Sequence, residues 1–306
     1  MIYLYFSLRK DFYISSPKKK RNNLKEQIKM NKNLIFVAVT VLAMGSLVVP
    51  FASIAQVSAQ SYENLVDQTN LQSATDIEDG SLAVNFARNL ASFTDSSFNT
   101  LSQLNDQSID DVSDGSLAAN IGINNANFED SNFNDATQTN TQSIDNVGDP
   151  SLAANIGVND VEFKDSDNNV IDQSNTQGIE DITQDSEAAN VGLNFADFED
   201  ESDDNDVSQS NDQQIEDVKK DSEALNVAEN DVELENDSDN NDVDQSNDQS
   251  IDDVKKGSSA ENTAENNAEF DDSDDNQVSQ SNDQEIDDVK KDSSAANDAG
   301  NDVSFD

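Results

Sequence analysis

The side chains in this sequence that could bind a ligand are carboxylates and amides, which recur in short acidic stretches. The stretch DSDNNDVDQSND, residues 237–248, has oxygen-bearing side chains at loop positions 1, 3, 5 and 12, as an EF-hand that binds Ca²⁺ does. Positions 6 and 8, however, hold Asp242 and Asp244 instead of the glycine and the apolar residue that an EF-hand needs. An EF-hand is therefore excluded.

Weak Ca²⁺ binding by carboxylates of neighbouring turns remains a hypothesis, and the simpler interpretation is a solvated acidic surface. The candidate metal ligands are Asp165, Asp167, Asp237, Asp239, Asn241, Asp248, Asp272, Asp274, Asn276 and Asp283.

Two residue types that most enzymes use are missing. The chain has no Cys, which excludes disulfides, thiolate metal sites and cysteine nucleophiles. It also has no His, the commonest general base and transition-metal ligand. The remaining carboxylates lie in repeats and not around a distinct pocket. We therefore expect a protein that is not an enzyme and that needs no cofactor.

Charge divides the chain at about residue 59. Residues 1–59 hold nine Lys and Arg against two Asp and Glu, whereas residues 60–306 hold eight against 62. Such an acidic chain is not expected to bind nucleic acid, because phosphates attract basic side chains. Only 34% of the residues are hydrophobic, a composition that is typical of disorder and not of an ordinary globular core.

The N-terminal part has the pattern of a secretory signal. An apolar run over 34–49 follows Lys29 and Lys32, and 57–59 reads Val-Ser-Ala, the small-x-small pattern of a cleavage site. We predict a signal peptide over 30–59 that is cut after Ala59, with an uncleaved membrane anchor as the alternative. Residues 1–29 are then a basic extension or a mis-assigned start upstream of Met30. Either way the acidic part lies outside the cytoplasm, and after cleavage no membrane contact is expected.

The rest of the chain is a linker, 60–71, followed by repeats of 35 or 36 residues. Five units occupy 72–248, and polar, acidic terminal repeats occupy 249–306. The units begin near Gln72, Gln107, Gln142, Gln177, Gln213, Gln249 and Gln284.

Within each unit the unchanged residues alternate with variable ones in two series. In the third unit the first series runs from Ala153 to Phe163, and the second runs from Ile171 to Ile179. Alternation places each series on one face of a β-strand, and the segments between them are rich in Asp, Asn and Ser, as turns are. The sequence therefore predicts an all-β repeat protein, a β-solenoid of strand-turn-strand rungs of about 35 residues.

In-register stacking of these rungs would place each inward amide beside its copy and form hydrogen-bonded ladders. Small inward Ala and Gly residues would let the two sheets approach closely. The predicted ladder and core residues are Asn120, Asn124, Phe128, Gln138, Asn140, Asn155, Asn159, Phe163, Gln173, Asn175, Gln177, Asn190, Asn194, Phe198, Gln209, Asn211 and Gln213.

Disorder is the competing interpretation, because polar Asn/Gln repeats are often unfolded. It applies to the N-terminus and, in part, to 249–306, where the outward apolar residues of the early units give way to acidic and small ones. A chain that is disordered until it assembles is also consistent with the composition.

Two resemblances rest on short motifs within 72–306. The segment SNTQGI, with Asn155, Gln173 and Gln177 as inward polar residues, resembles curlin, the subunit of bacterial curli fibres. The segment ANIGVND, Ala154–Asp160, is similar to repeats of large bacterial surface adhesins. These resemblances imply an extracellular fibre or adhesin.

The sequence thus favours a secreted structural or adhesive repeat protein of a cell surface or extracellular matrix, which binds itself or other surface components. The alternatives are an acidic extracellular protein that binds Ca²⁺ or other divalent cations with low affinity, and a disordered acidic coat.

Overall fold

The structure, a computed structural model, describes residues 51–59 (backbone only), 64–148, 150–199, 202–234, 239–270, 276–290 and 292–305. The predicted basic extension and most of the predicted signal peptide, residues 1–50, lie outside this part. No helix in the described part is long and apolar enough to cross a membrane.

The described residues form fifteen β-strands joined by turns. In chain order the strands are β1 Phe51–Ala59, β2 Leu65–Ile77, β3 Leu82–Thr94, β4 Thr100–Val112, β5 Leu117–Glu129, β6 Asp135–Val147, β7 Leu152–Lys164, β8 Val170–Ile179, β9 Glu187–Glu199, β10 Asp206–Ile215, β11 Glu223–Leu234, β12 Asp242–Ile251, β13 Ser259–Phe270, β14 Gln277–Ile286 and β15 Ser294–Phe305.

The strands alternate between two parallel sheets. The odd-numbered strands form an eight-stranded sheet, sheet A, in the order β1-β3-β5-β7-β9-β11-β13-β15. The even-numbered strands form a seven-stranded sheet, sheet B, in the order β2 to β14. Each residue pairs with the equivalent residue of the next unit, so that Gln173 lies between Gln138 and Gln209. The predicted β-solenoid is therefore confirmed.

The inner faces of the sheets form a core with three zones. One edge holds an apolar column of phenylalanines, in which the rings of Phe93, Phe128 and Phe163 stack with centroids 4.7 Å apart. The other edge holds Ala, Ile and Val, for example Ala153, Ile179 and Ile182. Between these two apolar zones lie only amides and small residues. The ring spacing matches the separation of neighbouring strands, so stacking the backbone also stacks the rings.

Residues with positive φ make the turns. Near the end of β4, Asp111 has φ of 56°, and in the turn that follows, Asp114 and Gly115 have φ of 56° and 75°. Glycine adopts this left-handed conformation readily, and Asp and Asn tolerate it better than other residues. The Asp-, Asn- and Gly-rich segments of the repeat therefore reverse the chain at each rung, as the sequence predicts.

The structure corrects one predicted boundary. The linker predicted over 60–71 is wrong for 65–71, which form part of β2 and pair with β4. The reason is that Val66, Gln68 and Asn70 continue the inward apolar and amide columns of the repeats. Residues 51–59, within the predicted signal peptide, form β1 and pair with β3.

The partial disorder predicted for 249–306 stays a prediction, and the described residues of that segment form strands and turns. β13, β14 and β15 continue both sheets in register with the preceding strands. With the exception of Asn297, their inward amides pair with amides of the preceding rung, so the loss of outward apolar residues does not interrupt the stack.

Three glycines lie where the sheets come closest. A Cβ built on Gly192 of β9 would lie 2.6 Å from Asn211 Oδ1, and one on Gly122 would lie 2.5 Å from Asn140 Oδ1. Both distances are shorter than real carbon–oxygen contacts. The prediction that small inward residues permit close approach of the sheets is confirmed.

We expect Gly192→Ala to destabilise the chain by about 1–3 kcal/mol, the usual range for overpacking a filled core. Thermal or urea unfolding followed by far-UV circular dichroism measures the effect. Gly178→Ala is the matched control, because a Cβ there meets nothing within 4 Å; it should be neutral or slightly stabilising. Equal effects of the two substitutions would contradict this packing.

Candidate functional site

The glutamine columns form continuous hydrogen-bonded ladders along the stack. The Nε2 group of Gln173 donates to Oε1 of Gln138 at 3.0 Å, and that of Gln209 donates to Oε1 of Gln173 at 2.8 Å. The other N–H of Gln173 donates to the backbone carbonyl of Phe195 in sheet A at 2.8 Å. Each glutamine therefore joins two rungs and also joins the two sheets.

The asparagine columns run in the opposite direction. Asn140 donates from Nδ2 to Oδ1 of Asn175, in the following rung, at 2.9 Å, and Asn175 donates to Asn211 at 2.9 Å. In sheet A, Asn155 likewise donates to Asn190 at 3.0 Å. Asparagines donate towards the C-terminal end of the stack and glutamines towards the N-terminal end. The dipoles of the two kinds of column therefore oppose each other, and the two ends of the stack differ chemically.

Every ladder and core residue predicted from the sequence lies in this core, and none of them is more than 2% exposed. The structure thus brings the predicted amides together in continuous columns. A buried amide without a partner costs about 1–3 kcal/mol, so pairing between rungs is what permits such a polar core.

The turns contain a further ladder that the sequence analysis missed. Asn134 donates from Nδ2 to Oδ1 of Asn169 at 2.9 Å, and Asn169 donates to Asn205 at 3.0 Å. The same Nδ2 of Asn169 donates to the carbonyl of Ser166, three residues earlier, at 2.7 Å. The sequence signal is a Ser-x-x-Asn motif that recurs with the repeat period. Its composition is the same as that of an ordinary turn, so composition alone does not reveal the ladder.

The candidate metal ligands do not form a ligand set in the described part of the chain. Asp167 accepts the backbone N–H of Asp203 at its Oδ1, 3.1 Å away. Asn241 and Asn276 belong to the turn ladder, since Asn241 Nδ2 donates to Asn276 Oδ1 at 3.1 Å. Asp165 and Asp239 also lie in these turns.

Asp248 and Asp283 lie apart from the turns, on the outer faces of β12 and β14, while Asp237, Asp272 and Asp274 lie outside the described residues. Among the described residues no group of three or more acidic side chains has the geometry to hold a metal ion.

The outer face of sheet B stacks like charges. Asp212 of β10 lies opposite Asp248 of β12, and its pKa is raised by burial and then by that neighbouring carboxylate. Burial and Asp135 raise the pKa of Asp172 in the same way. Like charges on adjacent strands destabilise a sheet, so the outer columns oppose the stacking that the inner amides favour.

Lysines offset part of this charge in the last turns. Lys219 contacts Asp217, Lys255 contacts Asp253, and Lys290 lies 2.6 Å from Asp288. The hydrogen bond from Lys255 lowers the pKa of Asp253. Each contacted aspartate precedes its lysine by two residues.

Glu229 is the one outer-face carboxylate of the described strands that is buried, at 9% exposure. It lies on β11 opposite Leu193 of β9 and Glu265 of β13. Burial, followed by the charges of Asp231 and Glu265, raises its pKa to about 8. The folded chain therefore retains a proton on Glu229 at pH values where the unfolded chain has lost it.

An exposed aromatic pair is another feature that the sequence analysis missed. Phe98 and Phe133 lie in successive turns with ring centroids 5.0 Å apart and are about half exposed. Both have positive φ, 61° and 57°, which is uncommon for a bulky side chain. In this conformation the two phenylalanine rings stack on each other across neighbouring rungs.

The two ends of the stack leave ladder groups without their usual neighbours. At the N-terminal end, Asn85 Oδ1 is the one buried side-chain polar atom of the described residues that has no hydrogen-bond partner. From Asn120 to Asn262 the equivalent oxygen of each rung accepts from the preceding asparagine, as Asn120 Oδ1 does from Asn85. At the C-terminal end, Asn297 and Asn301 of β15 are exposed.

Comparison of the chain with protein-family models, with curated proteins and with solved structures gives no match.

We expect Asn159→Asp to destabilise the chain by about 3 kcal/mol or more at pH 7, because it replaces a buried donor by a carboxylate. Asn159 Nδ2 lies within hydrogen-bond distance of three oxygens, those of Ser174, Asn175 and Asn194. Urea unfolding measures the loss. Asn127→Asp makes the same change on the outer face of β5 and should cost less than about 1 kcal/mol. If Asn127→Asp lowered the free energy of unfolding as much as Asn159→Asp does, the result would contradict the special role of the buried ladder amide.

Stability should fall as pH rises from about 5 to about 8. Since the folded pKa of Glu229 exceeds the unfolded value, the folded state binds more protons in this window, and each pKa unit is worth about 1.4 kcal/mol. Glu229→Gln should remove a large part of this pH dependence in urea unfolding at pH 5 and pH 8. Glu261→Gln, an exposed change on β13, should leave it unaltered. An unchanged pH dependence in the Glu229 variant would show that this carboxyl is not its source.

Proposed function

We propose that this chain is a secreted, non-enzymatic structural or adhesive repeat protein of a cell surface or extracellular matrix, which associates with itself through its stacked amide ladders. The observation that carries the proposal is the C-terminal rung, whose ladder amides are exposed or half-buried although their copies in the interior rungs are buried. These amides are Gln280, Asn282, Gln284, Asn297 and Asn301.

The repeat geometry supports association at the ends of the stack. An exposed strand edge presents backbone donors and acceptors and is a template for another strand. Here the edge of β14 and β15 also presents the amides that each interior rung pairs with its neighbour. A second rung with the same residues would satisfy both sets of groups.

The acidic outer faces support the same mode. Residues 60–306 carry 62 acidic against eight basic side chains, so the sides of two stacks repel each other. The ladder groups at the ends are neutral amides. Repulsion at the sides and pairing at the ends favour an elongated assembly, which suits a fibre or a surface-anchored rod.

The extracellular location rests on the sequence. The apolar run 34–49, the break at Pro50 and the Val-Ser-Ala of 57–59 have the pattern of a secretory signal. Labelling intact cells with antibodies against the repeat region tests this part. Label on unpermeabilised cells or in the culture medium is expected, and label that needs permeabilisation would contradict it.

Self-association is tested on the chain cleaved after Ala59 by light scattering and electron microscopy in low salt, in NaCl and in CaCl₂ at matched ionic strength. We expect elongated assemblies whose formation increases with ionic strength, because salt screens exposed carboxylates. An equal response to NaCl and CaCl₂ indicates screening. A saturable response to CaCl₂ alone would favour the cation-binding alternative, and a coil-like circular dichroism spectrum under all conditions would favour the disordered coat.

A further inference from the structure

The register of the sheets identifies which residues would meet if a second copy extended the stack. Asn297 is the last residue of a column that begins at Asn85, and Asn301 ends the column of Asn89. Continuing the register places β15 of one copy beside β3 of the next, and β14 beside β2. The C-terminal rung of one copy, β14 and β15, then stacks directly on the N-terminal rung of the other, β2 and β3.

The orphan oxygen of Asn85 fits this arrangement. From Asn85 to Asn226 each asparagine of this column donates from Nδ2 to Oδ1 of the next rung, for example Asn190 to Asn226 at 3.1 Å. Asn297 is exposed at the end of that direction, and its Nδ2 donates to the carbonyl of Gln284 at 3.0 Å, while the amide group carries a second N–H that can donate to another acceptor. A docked copy would supply the donor that Asn85 Oδ1 lacks.

β1 occupies the edge of β3 that this docking requires. Its register places Phe51 opposite Asn85 and Ala55 opposite Asn89, so it has no side-chain amide at either position. β1 therefore satisfies the backbone of β3 but does not continue the ladders. It also ends at Ala59, where the sequence predicts signal cleavage.

Charge at this edge is complementary as well. Arg88 is the one arginine of residues 60–306 and is exposed on the outer face of β3. In the continued register it lies opposite Gly300, between Asp298 and Asp302 of the docked β15. A diagonal neighbour in a sheet is within reach of a long side chain, and the glycine leaves room for it.

On the outer face of sheet B, the same edge avoids the like-charge pairs that occur between interior rungs. Inside the chain Asp212 faces Asp248, and Asp248 faces Asp283. In the continued register Asp283 instead meets Leu71 of β2. Lys290, in the turn after β14, is the last residue of a column that begins at Glu78, in the turn after β2. A docked copy would therefore place Lys290 beside Glu78, which has the opposite charge.

We propose that β1 is a removable cap on the N-terminal edge of the stack, and that its removal lets the C-terminal rung of a second copy dock there, guided by Arg88. This inference rests on the proposed function and adds to it the partner, the direction and the trigger. Cleavage after Ala59 removes β1, and the next copy adds head to tail with Asn297 beside Asn85 and Arg88 between Asp298 and Asp302.

The cap is tested in the full chain with a specific protease site inserted between Ala59 and Gln60. Uncut chain should remain monomeric at concentrations where cut chain, freed of residues 1–59 by an affinity tag, elongates preformed seeds. We expect cleavage to raise the rate of seeded elongation by about tenfold or more, as measured by light scattering and filament length. Equal elongation of cut and uncut chains would overturn the role of β1.

The docking geometry is tested by charge reversal after the same cleavage. Arg88→Glu would place a third acid between Asp298 and Asp302, and we expect it to slow elongation by about tenfold or more. Asp298→Lys combined with Asp302→Lys in the same chain should restore elongation. Lys164→Glu is the matched control, since it reverses a charge on the outer face of β7, away from both ends, and elongation should be unchanged.

The outcomes separate this inference from the proposed function. Filaments that form at normal rates in the Arg88 variant, or that are not rescued by the paired aspartate changes, would overturn the docking geometry and leave self-association standing. A cleaved parent chain that stays monomeric in high salt, with native-like circular dichroism, would overturn both.

Discussion

The structure depends on one constraint, that an amide removed from water must find a hydrogen-bond partner. No single rung satisfies its inward amides, because each Gln and Asn has donors and acceptors that point along the stack. A neighbouring rung with the same residue in register satisfies them, at N–O distances such as 2.8 Å between Gln209 and Gln173. This requirement accounts for the parallel topology, the nearly constant repeat length of 35 or 36 residues and the free variation of outward residues.

The amide zone also determines how closely the sheets approach. Asn side chains from both sheets meet in the middle of the core, as Asn175 Nδ2 and Asn194 Oδ1 do at 3.0 Å. That contact leaves room for only a small residue beside it, so glycine or alanine occupies the intervening column, as Gly192 and Ala228 do. The phenylalanine and isoleucine columns at the two edges exclude water from this zone, which makes the amide hydrogen bonds stronger and their loss more costly.

Opposite requirements act on the inside and the outside of the stack. Inside, identical neutral side chains attract one another in register, and outside, identical acidic side chains repel one another. The lysines beside Asp217, Asp253 and Asp288 relieve some of this repulsion, and a raised pKa at Glu229 relieves some of it by proton uptake. The repulsion between outer faces and the ladder positions at the ends without their usual neighbours both support the proposed growth along the stack.

The sequence by itself determined the features that repeat. Period-2 alternation assigns inward and outward faces because successive side chains of a strand point to opposite sides, and the 35- or 36-residue interval sets the register of Gln138, Gln173 and Gln209. It did not reveal that 65–71 belong to β2, because the first copy retains only part of the pattern.

Only the tertiary structure decided the rest, because it depends on how rungs meet in space. The metal-ligand candidates are spaced like a loop in the sequence, yet folding divides those among the described residues between turns and outer faces. The opposite directions of the Gln and Asn columns, the orphan oxygen of Asn85 and the position of β1 beside β3 all follow from the placement of one rung on another. A one-dimensional pattern specifies which residues recur, but the donor direction and the unsatisfied ends are set by three-dimensional contact.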